Sequence, residues 1–122
     1  MRKLYLGCTL CMLLLGSCEY AYKEVKPNTQ PVVISFSGDI QPIFSSKCAG
    51  CHNASHPSLD LRDGLAYDQL WTTGANAPYV DTTNAASSLL YQKISTGSMS
   101  GYPGSSDKET ILEWINQGAQ NN

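Results

Sequence analysis

Five consecutive residues, Cys48-Ala49-Gly50-Cys51-His52, carry the strongest chemical signal in this chain. Their pattern is C-x-x-C-H, the spacing of a c-type haem attachment site. Two thiols separated by two residues can add to the two vinyl groups of one porphyrin. The next residue, His52, then lies under the iron and offers an imidazole nitrogen. The chain has five cysteines. Cys8, Cys11 and Cys18 fall in the N-terminal segment, so both thiols of the remaining chain sit in this one motif. The expected cofactor is a single covalent haem c, bound by Cys48, Cys51 and His52.

A second axial ligand has three candidates: a thioether, a second imidazole, or an open or water-bound position. Beyond the N-terminal segment the one methionine is Met99, within Ser95-Thr96-Gly97-Ser98-Met99-Ser100-Gly101-Tyr102-Pro103-Gly104. Gly and Ser neighbours are a poor packing context for a core methionine, and a loop can bring sulfur over the face opposite His52. His56 is the rival. It follows His52 by four residues, and the chain between them must stay on the proximal side. Met99 is therefore the expected ligand, and His56 is expected at the surface. The metal ligands are then His52 and Met99.

Two other chemistries use the same thiols. A dithiol oxidoreductase built on Cys48 and Cys51 wants a βαβ context, which the pattern lacks. A zinc site from Cys48, Cys51, His52 and His56 needs adjacent Cys51 and His52 to ligate one tetrahedral ion, and usual spacings are longer. No general acid, base or nucleophile stands out. The chain reads as an electron carrier rather than an enzyme.

The N-terminus has the order of an export signal. Arg2 and Lys3 precede an apolar run ending in Leu13, Leu14 and Leu15, and small residues follow at Leu15-Gly16-Ser17-Cys18. That tetrapeptide resembles the lipobox of bacterial lipoproteins, which implies lipidation of Cys18 after removal of residues 1–17. The plainer alternative is an ordinary signal peptide that leaves Cys18 as a free thiol. Export agrees with the haem, since haem c is attached outside the cytoplasm, where disulfides also form. The expected location is a membrane-anchored lipoprotein, periplasm-facing or at the cell surface. From Glu19 onward six Lys/Arg stand against ten Asp/Glu, a net charge of −4. Nucleic acid selects basic surfaces, so it is not an expected partner.

Residues 18–35 carry two prolines and many polar side chains, and read as a tether from the membrane. Val32-Val33-Ile34 fit a short extended piece against the domain edge. Residues 36–122 read as one domain of three to five short helices separated by Gly/Ser/Thr/Asn/Pro-rich loops, an all-α class. Ser37 or Asp39 is the expected first cap. Pro42 falls in the first turn, and Ile40, Ile43 and Phe44 share a face. A second helix is expected over 63–71, with Ala66, Tyr67, Leu70 and Trp71 on one side. A third follows Asn84 and carries Leu89, Leu90, Tyr91 and Ile94. The last opens on the capping box Ser106-Asp107-Lys108-Glu109, carries Ile111, Leu112, Trp114 and Ile115, and ends at Gly118. So loop-rich a domain buries little apolar surface alone. A central haem supplies the missing core, and the apoprotein is expected to be weakly folded.

From Phe36 to its end the chain resembles a class I monohaem cytochrome c domain. It is most similar to the bacterial lipoprotein and membrane-associated versions. The resemblance rests on Asp39-Ile40-Gln41-Pro42-Ile43-Phe44 leading into Cys48-Ala49-Gly50-Cys51-His52, then Leu59-Asp60-Leu61, the Met99 loop, and Trp114-Ile115-Asn116-Gln117-Gly118-Ala119. It implies a cytochrome c-like fold around one covalent haem, with N- and C-terminal helices crossing near it. Ile40, Ile43 and Phe44 would then pack on Ile111, Trp114 and Ile115. It also implies His52/Met99-ligated iron in one-electron transfer with redox protein partners, and membrane attachment through the lipid anchor. The alternatives are a haem-based redox or gas sensor with a labile Met99 ligand, or a haem subunit of a larger redox complex. The sequence departs from the family in one place: relatives often have proline directly after the ligand methionine, and here Ser100 follows, with Pro103 later.

Overall fold

The computed structural model describes residues 31–122. The expected signal segment, Cys18 and the expected tether up to Gln30 lie outside the described residues. Within them the chain is helical, with no strand. One π-helical turn, Phe36–Ile40, runs into α1 (Gln41–Lys47). After a long loop comes α2 (Ala66–Asp68), which continues as a π-helical turn, Gln69–Thr73. A 3-10 turn (Ala85–Ser87) precedes α3 (Leu89–Ser95), and α4 spans Ser105–Asn116.

The first cap is Ser35 rather than Ser37 or Asp39. Ser35 Oγ accepts from Gly38 N–H at 3.2 Å, and Asp39 Oδ2 accepts from Ser35 N–H at 2.8 Å. The pair satisfies amides that the first turn leaves unpartnered. Pro42 lies in the first turn of α1, where a missing N–H costs little. The second helix starts three residues later than expected, but the expected side holds: Ala66 and Leu70 are buried, and Tyr67 and Trp71 are half-buried. Asn84 makes no side-chain cap to the turn that follows it.

At the head of α4, Asp107 Oδ2 accepts from Gly104 N–H at 3.0 Å, two residues ahead of the expected Ser106–Glu109 box. Its far end is as expected. Gly118 adopts φ +95°. Gly118 N–H reaches Ile115 O at 3.0 Å and Ala119 N–H reaches Trp114 O at 2.9 Å. This paired closure is the Schellman stop, which favours glycine at that position.

One apolar cluster joins all these elements. Ile40, Phe44, Leu70, Ile111, Trp114 and Ile115 are fully buried. Each such side chain contributes about 1.5–3 kcal/mol on burial. Phe36 stands at its aromatic centre, 5.4 Å from the Trp114 ring, 5.1 Å from Tyr67 and 6.3 Å from Phe44. The turn Phe36–Ile40 thus carries the contact between the N-terminal region and α4.

The last residues of the expected tether bond to the C-terminal end of the chain. Gln117 accepts from Ile34 N–H at 2.8 Å and donates to Val32 O at 2.9 Å. Asn122 takes Phe36 N–H on its side chain, and Ser37 N–H on its backbone carbonyl. These bonds join residues 32–37 to the C-terminal segment of the chain. Val32 and Val33 remain exposed.

Candidate functional site

The Cys48–His52 stretch is the continuation of α1. Cys48 and Ala49 N–H both reach Phe44 O, at 2.9 and 2.8 Å. Cys48 O then accepts from Cys51 N–H at 3.1 Å and His52 N–H at 2.8 Å. This tight turn presents Cys48, Cys51 and His52 to one cleft of about 330 Å3. That volume lies in the range of small-molecule and cofactor clefts. The lining is mostly apolar, with Phe44, Leu59, Leu90 and Ile94 among its walls. Met99, far off in sequence, lines the same cleft.

His52 is held from two sides. Its Nδ1 lies 3.3 Å from Leu59 O, and its own carbonyl accepts from Leu61 N–H at 2.9 Å. With the proton on Nδ1 the ring donates to Leu59, and the Nε2 lone pair is free for a metal. Burial lowers the His52 pKa, with the neighbouring His56 adding to that effect, while the Leu59 bond opposes it. The shift favours the neutral ring, the form a metal needs. Gln41 anchors the same segment to α1, its Nε2 donating to Leu61 O at 3.2 Å.

Met99 sits in a loop with defined bonds. Its N–H reaches Lys93 O at 3.0 Å, and its carbonyl accepts from Tyr102 N–H at 3.2 Å. Gly97 makes this return possible: a Cβ there would press on Gln92 O and the Lys93 backbone, at 2.9 Å each. The Met99 side chain is half-buried and packs on the apolar cluster. From α4, Lys108 Nζ donates to Ser100 O at 2.8 Å.

Cys48 and Cys51 are free thiols. Burial, with the Asp107 charge second, pushes the Cys48 thiol up to about 11. Dithiol exchange needs a depressed thiol, so this environment opposes that reading. Among the described residues no three His, Cys, Asp or Glu side chains converge to hold a metal ion, which leaves the zinc arrangement unassembled.

His56 departs from its expected place at the surface. It is half-buried, lines the cleft, and its ring lies 4.1 Å from that of His52, centroid to centroid. Its backbone partners hold it there: His56 Nδ1 accepts from Ser58 and Leu59 N–H, both at 3.2 Å. Neither this role nor that of Lys108 shows in sequence periodicity, because both depend on how loops fold back. Nor does that of Tyr79, which lines the cleft and donates its hydroxyl to Ser58 O at 3.2 Å.

No helix among the described residues is long and apolar enough to cross a membrane. Comparison of the chain with protein-family models, with curated proteins and with solved structures found no match.

Proposed function

We propose that this chain is an exported, lipid-anchored monohaem c-type cytochrome with a class I cytochrome c-like fold, and that it carries single electrons between redox proteins. One observation supports this most: Cys48, Cys51, His52 and Met99, drawn from distant parts of the chain, line one apolar cleft. The donor set fits a haem. Two free thiols would suit covalent attachment, and an imidazole with its Nδ1 engaged and a half-buried thioether would suit iron ligation.

Haem iron bound there supplies a one-electron ferric/ferrous couple. Cys48 and Cys51 tie the cofactor to the chain. The Leu59 carbonyl fixes the His52 ring and raises its basicity as a ligand. Met99 would contribute a soft sulfur, a ligand that favours ferrous iron and a higher potential. Leu59, Leu90 and Ile94 give the cleft an apolar wall, which would favour electron transfer over ligand exchange. Carboxylates outnumber Lys and Arg ten to eight, so the chain lacks the basic surface that nucleic acid selects. The lipid anchor at Cys18 would keep the domain at a membrane surface.

A redox titration of the exported protein, with a carbon monoxide challenge, tests the carrier reading. The expectation is one single-electron wave and a low-spin ferrous spectrum that carbon monoxide leaves unchanged. Ready carbon monoxide binding would favour the gas-sensor alternative, in which Met99 leaves the iron.

A further inference from the structure

We propose that His56 is a positioning residue for the His52 ligand, fixing the Leu59 peptide that in turn fixes the His52 ring. This rests on the haem reading. Residues 52–59 form an irregular loop, with no helix or strand to hold it. Side chains satisfy its backbone instead. Asn53 Nδ2 donates to Gly50 O at 2.9 Å, and Asn53 Oδ1 accepts from Ser55 N–H at 3.1 Å. His56 closes the second half. Its own N–H reaches Asn53 O at 2.9 Å. Its Nδ1 accepts from both Ser58 and Leu59 N–H at 3.2 Å.

Leu59 consequently sits between two imidazoles. Its N–H is on His56 Nδ1, and its C=O accepts from His52 Nδ1 at 3.3 Å. A shift of this residue moves the acceptor that sets the His52 ring plane. The His56 ring also backs His52 directly, with an interplanar angle of 36°. His52 is thus held by a hydrogen bond at its edge and flanked by a second ring tilted against it. Outer partners of ligating histidines control ring orientation and tautomer. Here that control passes through one backbone residue to a second histidine. The two functions can be separated by substitution: His56→Phe keeps a flat ring but has no acceptor, and His56→Asn has an acceptor but no ring.

The test uses the haem-loaded protein and two NMR readouts. The first is amide exchange at Leu59, against Ile115 as a core reference. The second is the pattern of hyperfine-shifted haem methyl signals in the ferric state, which reports the His52 ring plane. Leu59 exchange is expected to rise about tenfold in His56→Phe, as for loss of one hydrogen bond, with Ile115 unchanged. His56→Asn should stay close to wild type in exchange. The methyl signals should shift or double in His56→Phe. His56→Ala serves the same comparison if His56→Phe does not mature. Leu59 exchange and methyl signals identical to wild type in the acceptor-less variant would overturn the proposal. A wild-type chain that carries no covalent haem would instead overturn the haem reading itself, so the two failures are distinguishable.

Discussion

Lys108 Nζ donates to the carbonyl oxygen of Ser100 at 2.8 Å, tying α4 to the residue that follows Met99. The loop has no proline at that position to stiffen it. A charged donor from the C-terminal helix supplies a fixed point instead, and the Met99 N–H to Lys93 O bond supplies another. The loop is therefore suspended between α3 and α4.

Removing that donor should loosen the methionine before it loosens the core. Lys108→Met keeps the apolar stem and leaves the Ser100 carbonyl unpartnered, at a cost of about 1–2 kcal/mol. The weak charge-transfer absorption of ferric iron on thioether sulfur should fade at a lower temperature than in wild type. Lys108→Arg, which retains a donor, should recover most of the difference. A thermal profile of that absorption unchanged in Lys108→Met would refute the role.

Gly74 is buried under Tyr79. A Cβ there would run into the Gln69 carbonyl and the Tyr79 ring, and the carbonyl is backbone that cannot move aside. Tyr79 also forms part of the cleft wall. Gly74→Ala should cost roughly 1–3 kcal/mol through overpacking. Denaturant unfolding of the haem-loaded variant measures it, and an unchanged midpoint would contradict this packing.

Asp81 organises the turn before α3. Its Oδ1 accepts from Thr83 N–H at 2.9 Å, Thr83 Oγ1 at 2.6 Å and Asn84 N–H at 3.2 Å. The Thr83 hydroxyl bond, followed by these backbone bonds, holds its carboxyl below the usual range. A depressed folded-state pKa means the charge stabilises the fold above the ordinary Asp value, about 4, and loses that contribution as pH falls through the folded value. The stability difference between wild type and Asp81→Asn should thus be constant near neutrality and vanish in acid. A difference that grows on acidification would carry the wrong sign.

Lipidation at Cys18 predicts a simple fractionation result. Wild type should partition into detergent with the membranes, and Cys18→Ala should lose acylation and appear in the soluble exported fraction. Several acyl chains anchor stably where one binds only marginally. Wild type recovered wholly in the soluble fraction would speak for an ordinary signal peptide.

Much of this architecture was legible because it is local. The i, i+3, i+4 pattern of Ile111, Trp114 and Ile115 and the glycine after Gln117 define α4 and its end. The motif Cys48–His52 declares its chemistry in five residues. Legibility stopped where the chain closes on itself. An extended Val32–Ile34 at the domain edge is legible, but nothing near Gln117 in sequence indicates that its amide clasps Val32 and Ile34. Phe36 was not expected in the core, because its partners Trp114 and Tyr67 are distant in sequence. The sequence points His56 to the surface, because a polar residue in an irregular loop carries no periodic mark. Its backbone partners two and three residues ahead are the signal that a turn-level reading would have used.

Intact-mass measurement of the exported protein under denaturing conditions is the most direct test of the central claim. The account predicts one haem added per chain, retained through acid–organic extraction, with yield falling sharply in Cys51→Ala. A wild-type chain at its apoprotein mass, its haem absent or extracted freely, would contradict it.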